Sequence, residues 1–389
     1  MNTPNYVNGY YLVDNQIIKN KLVALVEATK RNTNVIWYYF DHIYIDAVNN
    51  FIKNGLLLEE WYKLRALQLR EKYDYLILNY SGGSDSHNIL MTFLRNNIKL
   101  DHLYIQWPMN LVDKGIYKPN SIDKTNANFH SEWDLVLKKD LEYISVKYPN
   151  IIIEIDDWTN TLTEDFYRDD IFAKDVSNLP SIARSQKQNT FSKVESKLSN
   201  QGKRVASIYG VDKPEIVKKN NEWFFYFNDT ACMAQPNIEN PYGLEYFYWA
   251  PDFPNIVIAQ ANKLKEYYEI NKNLQYLIQA PSERGLEIKN FTYDDYYREF
   301  AIRAEISKLV CYPYWDFSRF QADKPFAKLD GFKMGTRAWD NVLTVIPEFD
   351  RVQKSWEYHW KSYLQQINMK FMRNRDTVNV IKTKWIKFA

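Results

Sequence analysis

Residues 81–86 read Ser-Gly-Gly-Ser-Asp-Ser, in a chain with only 11 Gly among 389 residues. That is under half the usual glycine share of about 7%. Adjacent glycines let a backbone approach a ligand closely, and the hydroxyls of Ser81, Ser84 and Ser86 can donate to phosphate oxygens. Asp85 would repel a bare phosphate, so its presence makes sense when Mg²⁺ arrives with the phosphates and bridges them. The plain alternative is a Ser/Gly turn that only caps a helix.

The flanking residues support an anion loop. The run 74–80, DYLILNY, suits a buried strand, and 86–97, SHNILMTFLRNN, lays Ile89, Leu90, Phe93 and Leu94 along one helical stripe. A loop between a strand and a helix N-terminus meets unpaired N–H groups and partial positive charge. Downstream, 100–107, 150–156 and 203–210 read as further strands, and 128–148 and 189–202 as helices between them. Alternation of this kind predicts an α/β fold with a parallel, doubly wound sheet and right-handed crossovers. Residues 215–229 read as a hairpin turning at Asn220-Asn221, while the first 70 residues read as mostly helical. Asp252 and Pro254 mark the cap region of a further helix, and aromatic 243–250 reads chiefly as core. Boundaries are expected near 72 and 330, giving a helical region 1–72, a central domain 73–330 and an extension 331–389 that packs on it.

Composition narrows the function classes. With 46% apolar and 25% charged residues the chain is ordinary for a globular protein, and 30 Tyr, 21 Phe and 12 Trp predict a ring-rich core. A net charge of +2 does not by itself imply nucleic acid. No apolar run reaches the roughly 18 residues of a membrane span, and the N-terminus lacks signal-peptide character, so a cytoplasmic, membrane-free protein is expected. Cys232 and Cys311 form no CxxC pair, and the five histidines have no metal spacing. His87 reads as solvent-facing or capping. The basic C-terminal stretch 370–389 reads as a solvated tail packed by Trp385 and Phe388, with contact to an RNA backbone as the sharper alternative.

The loop has neither the G-x-x-x-x-G-K-[ST] nor the G-x-G-x-x-G spacing. It resembles the SGGxDS signature of the PP-loop, or N-type ATP pyrophosphatase, superfamily, which includes asparagine, GMP, NAD and argininosuccinate synthetases and several tRNA-modifying enzymes. The six-residue match is complete, between strand and helix as the family requires. The resemblance implies an adenine nucleotide alpha hydrolase-like fold, ATP and Mg²⁺ as cofactors, and cleavage of ATP between its α and β phosphates. Ser81, Gly82, Gly83, Ser84, Asp85 and Ser86 would form the pyrophosphate loop, with Asp85 as a Mg²⁺ ligand. Gln106 and Trp107, at the end of the second strand, occupy the place where members seat adenine, although Trp107 reads equally well as core. Gly210, Asp212 and Lys213 end the fourth strand, where asparagine synthetase-like members carry a glycine-rich acidic loop. There Asp212 would be a second metal ligand, and Lys213 would neutralise charge on the pyrophosphate. The G-V-D-K-P sequence departs from the family's G-x-G-A-D-E, and a plain turn is the alternative. Lys308 or Lys324 would supply the phosphate-binding cation that members draw from the C-terminal half.

Asparagine-making members carry a glutaminase nucleophile as a cysteine after Met1. Here residue 2 is Asn and the loop arrives by residue 81, so no glutaminase domain is expected. The reading is an AMP-forming ligase of the asparagine synthetase-like branch, acting on a carboxylate or a carbonyl or amide oxygen. Its nitrogen would come from ammonia, another amine or a separate amine-donating subunit, and its acceptor would be a small molecule or nucleic acid. The alternatives are a tRNA- or nucleobase-modifying PP-loop enzyme, a sulfur-transfer enzyme and a catalytically silent nucleotide-binding module.

Overall fold

The computed structural model describes residues 8–19, 21–52, 55–107, 109, 133–157, 193–229, 243–280, 283, 293–316 and 381–389. Strand β4 (Tyr75–Asn79) enters the predicted loop, and α4 (Ser84–Arg95) leaves it. Strands β5 (His102–Trp107), β6 (Ile152–Asp157), β7 (Val205–Tyr209) and β10 (Leu244–Tyr246) join β4 in a five-stranded sheet of order β10-β7-β4-β5-β6. Every pairing in it is parallel, with Leu78 opposite Leu103 on one side and Ile208 on the other. Helices α5 (Lys138–Lys147) and α6 (Lys193–Asn200) lie before and after β6 in the chain.

Alternation along β4 explains the layers. Leu76 and Leu78 enter the main core with Ile89 and Phe93 of α4 and with α3 (Leu58–Lys72), whereas Ile77 joins Tyr104, Val205 and Leu198 of α6 on the opposite face. Helices thus flank both faces, as an α/β doubly wound sheet requires. The core is ring-rich, as composition predicts: Trp37, Trp249, Tyr39, Tyr44, Tyr62 and Tyr248 are at most 1% exposed.

The mostly helical reading of the first 70 residues is corrected. Besides α1 (Lys21–Arg31), α2 (Asp41–Asn49) and α3, this region holds β1 (Tyr10–Val13), β2 (Gln16–Ile18) and β3 (Ile36–Tyr38) in an antiparallel sheet of order β2-β1-β3. These strands have three or four residues, too few for a periodicity to separate them from the helices beside them.

The predicted hairpin is present as β8 (Glu215–Lys219) and β9 (Glu222–Tyr226). Asn220 and Asn221 both have positive φ, 50° and 62°, as a primed two-residue turn demands. Strand β11 (Ile386–Lys387) adds to β9, and Trp385 stacks on Tyr226 with ring centroids 6.3 Å apart. Two further α-helices among the described residues are α7 (Asn255–Ile270) and α8 (Tyr293–Cys311). Pro254 is the residue capping α7, without a side-chain cap. The cap region expected at Asp252 and Pro254 is where the helix starts, with the Asp252 carboxylate pairing with Arg65 (3.1 Å) and Lys72 (3.2 Å) of α3.

Candidate functional site

In a sheet ordered β10-β7-β4-β5-β6, chain direction switches sides between β4 and β7. Loops leaving the carboxyl ends of those two strands diverge and open a crevice. The two sequence motifs fall on these two loops. Gly83 caps α4 in extended backbone (φ −71°, ψ 165°), and Gly82 has φ +72°, a conformation L side chains resist. A Cβ on Gly82 would come within 2.9 Å of Leu137 Cγ. A Cβ on Gly210 would meet Asp85 Cβ and the Ser86 nitrogen at 3.1 Å, so the loop after β7 packs directly on the first turn of α4.

The hydroxyls close a small ring. Ser86 Oγ donates to the Gly83 carbonyl and accepts from the Ser81 N–H, both at 3.2 Å. Its one proton is thereby used, so in the 3.2 Å contact between Ser81 Oγ and Ser86 Oγ the donor is Ser81. Gly83 N–H in turn donates to Ser81 Oγ at 3.3 Å. Ser86, 3% exposed, braces the loop from inside, while Ser81 lies on its exposed side.

Asp85, Asp212 and Lys213 meet. Lys213 Nζ lies 2.7 Å from Asp85 Oδ1 and 2.5 Å from Asp212 Oδ1. Tyr312, just past α8, donates its hydroxyl to the same Asp85 Oδ1 and accepts from Lys213 Nζ at 3.2 Å. Tyr248 OH donates to the Asp85 carbonyl at 3.0 Å and accepts from Asn88 Nδ2 at 3.0 Å. Burial alone would raise the Asp85 carboxyl, but the charge and hydrogen bond of Lys213, with the Tyr312 hydroxyl, hold it well below the usual carboxylate range. Asp212 is displaced upward, by desolvation within the cluster and by the Asp85 charge, against the pull of Lys213. Burial opposes charge on Lys213, yet the two carboxylates raise its pKa above the ordinary lysine value.

One ammonium faces two carboxylates, so with all three groups ionised the cluster carries a net negative charge. Side-chain exposures of 29% for Asp85 and 43% for Asp212 leave both within reach of a ligand, against 10% for Lys213. Mg²⁺ is typically held by one or two carboxylates completed by phosphate oxygens and water. The donor set therefore fits Mg²⁺ arriving with phosphates. A self-sufficient protein cage is not offered, since no group of three or more His, Cys, Asp or Glu suited to a metal occurs among the described residues.

The other predicted positions are distributed differently. Gln106 and Trp107 end β5, beside Asp156 and Asp157 of β6. Gln106 Nε2 donates to Tyr104 OH at 3.3 Å, and Trp107 stacks on Trp133 with centroids 5.8 Å apart. Lys308 lies on α8 one turn before Tyr312, with its ammonium 2.5 Å from Glu305. Lys324 and Cys232 lie outside the described residues. His87 is corrected: it is 6% exposed, and Nδ1 lies 3.0 Å from Tyr80 OH and 3.5 Å from Asp140, behind the loop. Tyr246, Tyr248 and Trp249 are buried, the core role expected, and the Tyr248 hydroxyl adds its bond to the loop. Sequence reasoning missed Tyr312, which is 227 positions from Asp85 and belongs to no motif. Asn88 follows Asp85 at helical i,i+3 spacing, the one signal that would have found it.

No family model, curated protein or solved structure matches this chain.

Proposed function

We propose that this chain is an AMP-forming, Mg²⁺-dependent ATP pyrophosphatase of the PP-loop type, acting as a ligase. The observation that carries the reading is the placement of 81–86 at the switch between β4 and β7, with Asp85 meeting Asp212 and Lys213 there. In this reading the free N–H groups at the start of α4 and the Ser81 and Ser84 hydroxyls bind the β and γ phosphates. Gln106 and Trp107 border the adenine. A substrate carboxylate or amide oxygen attacks the α phosphorus, the bond from that phosphorus to the bridging oxygen breaks, and pyrophosphate departs with the electron pair. An amine then attacks the activated carbon, forming C–N and expelling AMP. The metal, when bound, neutralises charge on the departing pyrophosphate. Lys213 holds a full positive charge beside it, and Asp85, ionised at all physiological pH, keeps its carboxylate available.

The sulfur-transfer alternative needs an accessible thiolate. Among the described residues the cysteine is Cys311, which is fully buried, and burial pushes its thiol well above the ordinary range. The ligase reading is tested by product analysis with ATP, Mg²⁺ and candidate carboxylates or amides. AMP and pyrophosphate are expected, and ADP with phosphate would overturn it. Asp85→Ala should abolish pyrophosphate release with an unchanged circular dichroism spectrum, whereas full turnover would remove Asp85 from the mechanism.

A further inference from the structure

Tyr312 carries a hydroxyl that its packing does not require. The residue is 1% exposed, and its ring lies 5.2 Å from that of Tyr248 and under Lys213 Nζ at 4.6 Å from the centroid. A phenylalanine would fill the same space. Both partners of the hydroxyl, Asp85 Oδ1 and Lys213 Nζ, belong to the charged cluster. The backbone here is held as well: Tyr62 OH donates to the Cys311 carbonyl at 2.5 Å, and Gln260 Nε2 donates to Tyr62 OH at 3.0 Å. The Tyr314 N–H donates to Asn88 Oδ1 at 3.3 Å, which ties the segment after α8 to α4 itself.

This arrangement divides the two oxygens of Asp85. Oδ1 accepts from Tyr312 and Lys213, groups brought by α8 and by the loop after β7, and Oδ2 lies on the loop side, 3.3 Å from Ser84 Oγ. A carboxylate held at one oxygen by fixed donors cannot rotate freely, so the direction of its other oxygen is set before a ligand arrives. We infer that Tyr312 is a positioning residue of this site, whose hydroxyl orients the Asp85 carboxylate toward a divalent cation carried by a pyrophosphate-bearing ligand. The inference rests on the pyrophosphatase reading and extends it to the end of α8.

The test is binding, with Mn²⁺ in place of Mg²⁺ and pyrophosphate as the ligand, read by calorimetric titration of the preformed Mn²⁺·pyrophosphate complex into the protein. Removal of a group that orients a metal ligand typically costs 10–100-fold in affinity. Tyr312→Phe should therefore weaken Mn²⁺·pyrophosphate binding by about tenfold or more, with its thermal midpoint close to that of the parent protein. Affinity within twofold of the parent would overturn the positioning role while leaving the pyrophosphatase reading intact. If the parent protein itself binds no Mn²⁺·pyrophosphate, the reading fails and the inference with it. Should Tyr312→Phe not fold, 3-fluorotyrosine at the same position keeps the shape and changes only the strength of the donor. An affinity moved twofold or more would then support the role, and an unchanged one would overturn it.

Discussion

Gly210 shows how a single atom sets the site. Its missing Cβ allows the backbone after β7 to lie against Asp85 Cβ and the Ser86 nitrogen, each of which an added Cβ would meet at 3.1 Å. The neighbour on one side is helix backbone, which cannot swing away as a side-chain tip can. Gly210→Ala should therefore push the two loops apart, costing on the order of 1–3 kcal/mol of stability as overpacking does. It should also weaken pyrophosphate binding by more than that stability loss suggests, because Asp85 and Asp212 would no longer converge on Lys213. Denaturant titration and ligand calorimetry on the same preparation check both expectations, and unchanged binding would show that the loop contact is incidental.

Among elements, the register between α3, β4 and β5 depends on one buried carboxylate. Asp101, 4% exposed, accepts from the Leu76 N–H at 2.9 Å and pairs with Arg70 and Lys99, both at 2.6 Å. Burial would raise this carboxyl, but Lys99, the Leu76 N–H and Arg70 lower it below its ordinary value. A carboxylate whose folded pKa is depressed stabilises the fold above its unfolded pKa, about 4. That stability is lost as pH falls through the lower folded value. Asp101→Asn should cost about 1.5–3 kcal/mol at pH 7, the usual worth of hydrogen bonds to a charged group. The gap between variant and parent should narrow once pH drops below about 4. Urea unfolding at pH 7 and at pH 3 measures it, and a pH-independent gap would argue that shape, not charge, is what Asp101 supplies.

For the whole molecule, the C-terminal strand joins segments that are far apart in the chain. Ile386, 2% exposed, stands opposite Phe225 of β9, and the Thr383 N–H donates to the Phe227 carbonyl at 3.0 Å. Phe225 and Phe227 in turn meet Tyr44 of α2, with centroids 6.4 and 4.7 Å away. Phe227 also packs on Trp249, 4.7 Å away, and the Trp249 N–H donates to the Val211 carbonyl one residue before Asp212. Ile386→Ala should lower stability by about 2–5 kcal/mol, as truncation of a buried aliphatic does. Because that core is continuous, circular dichroism and tryptophan fluorescence should report one shared midpoint. Separate midpoints would show the three-stranded unit to unfold independently. Among the described residues no helix is long and apolar enough to cross a membrane.

What was legible in the sequence was local. Four of the five parallel strands follow from apolar runs alternating with amphipathic ones, whereas the three residues of β10 lie in an aromatic stretch that reads as core. The hairpin follows from Asn220-Asn221, because asparagine tolerates positive φ better than most residues. The strand–loop–helix unit around 81–86 was readable for the same reason: glycine freedom, helix-end polarity and hydroxyl chemistry act within a few residues. The short N-terminal strands escaped, since three or four residues carry too little periodicity against nearby helical stretches. His87 escaped because its burial depends on Tyr80 and on Asp140, which lies more than 50 positions away. Asp212 and Lys213 were expected beside the loop from the place of their strand end, and the structure sets both against Asp85 through Lys213 Nζ. Only the tertiary structure set Tyr312 over the same carboxylate, because the end of a distant helix decides that contact. By itself the sequence determined the parts that bind through their own backbone, and packing decided which distant side chains complete them.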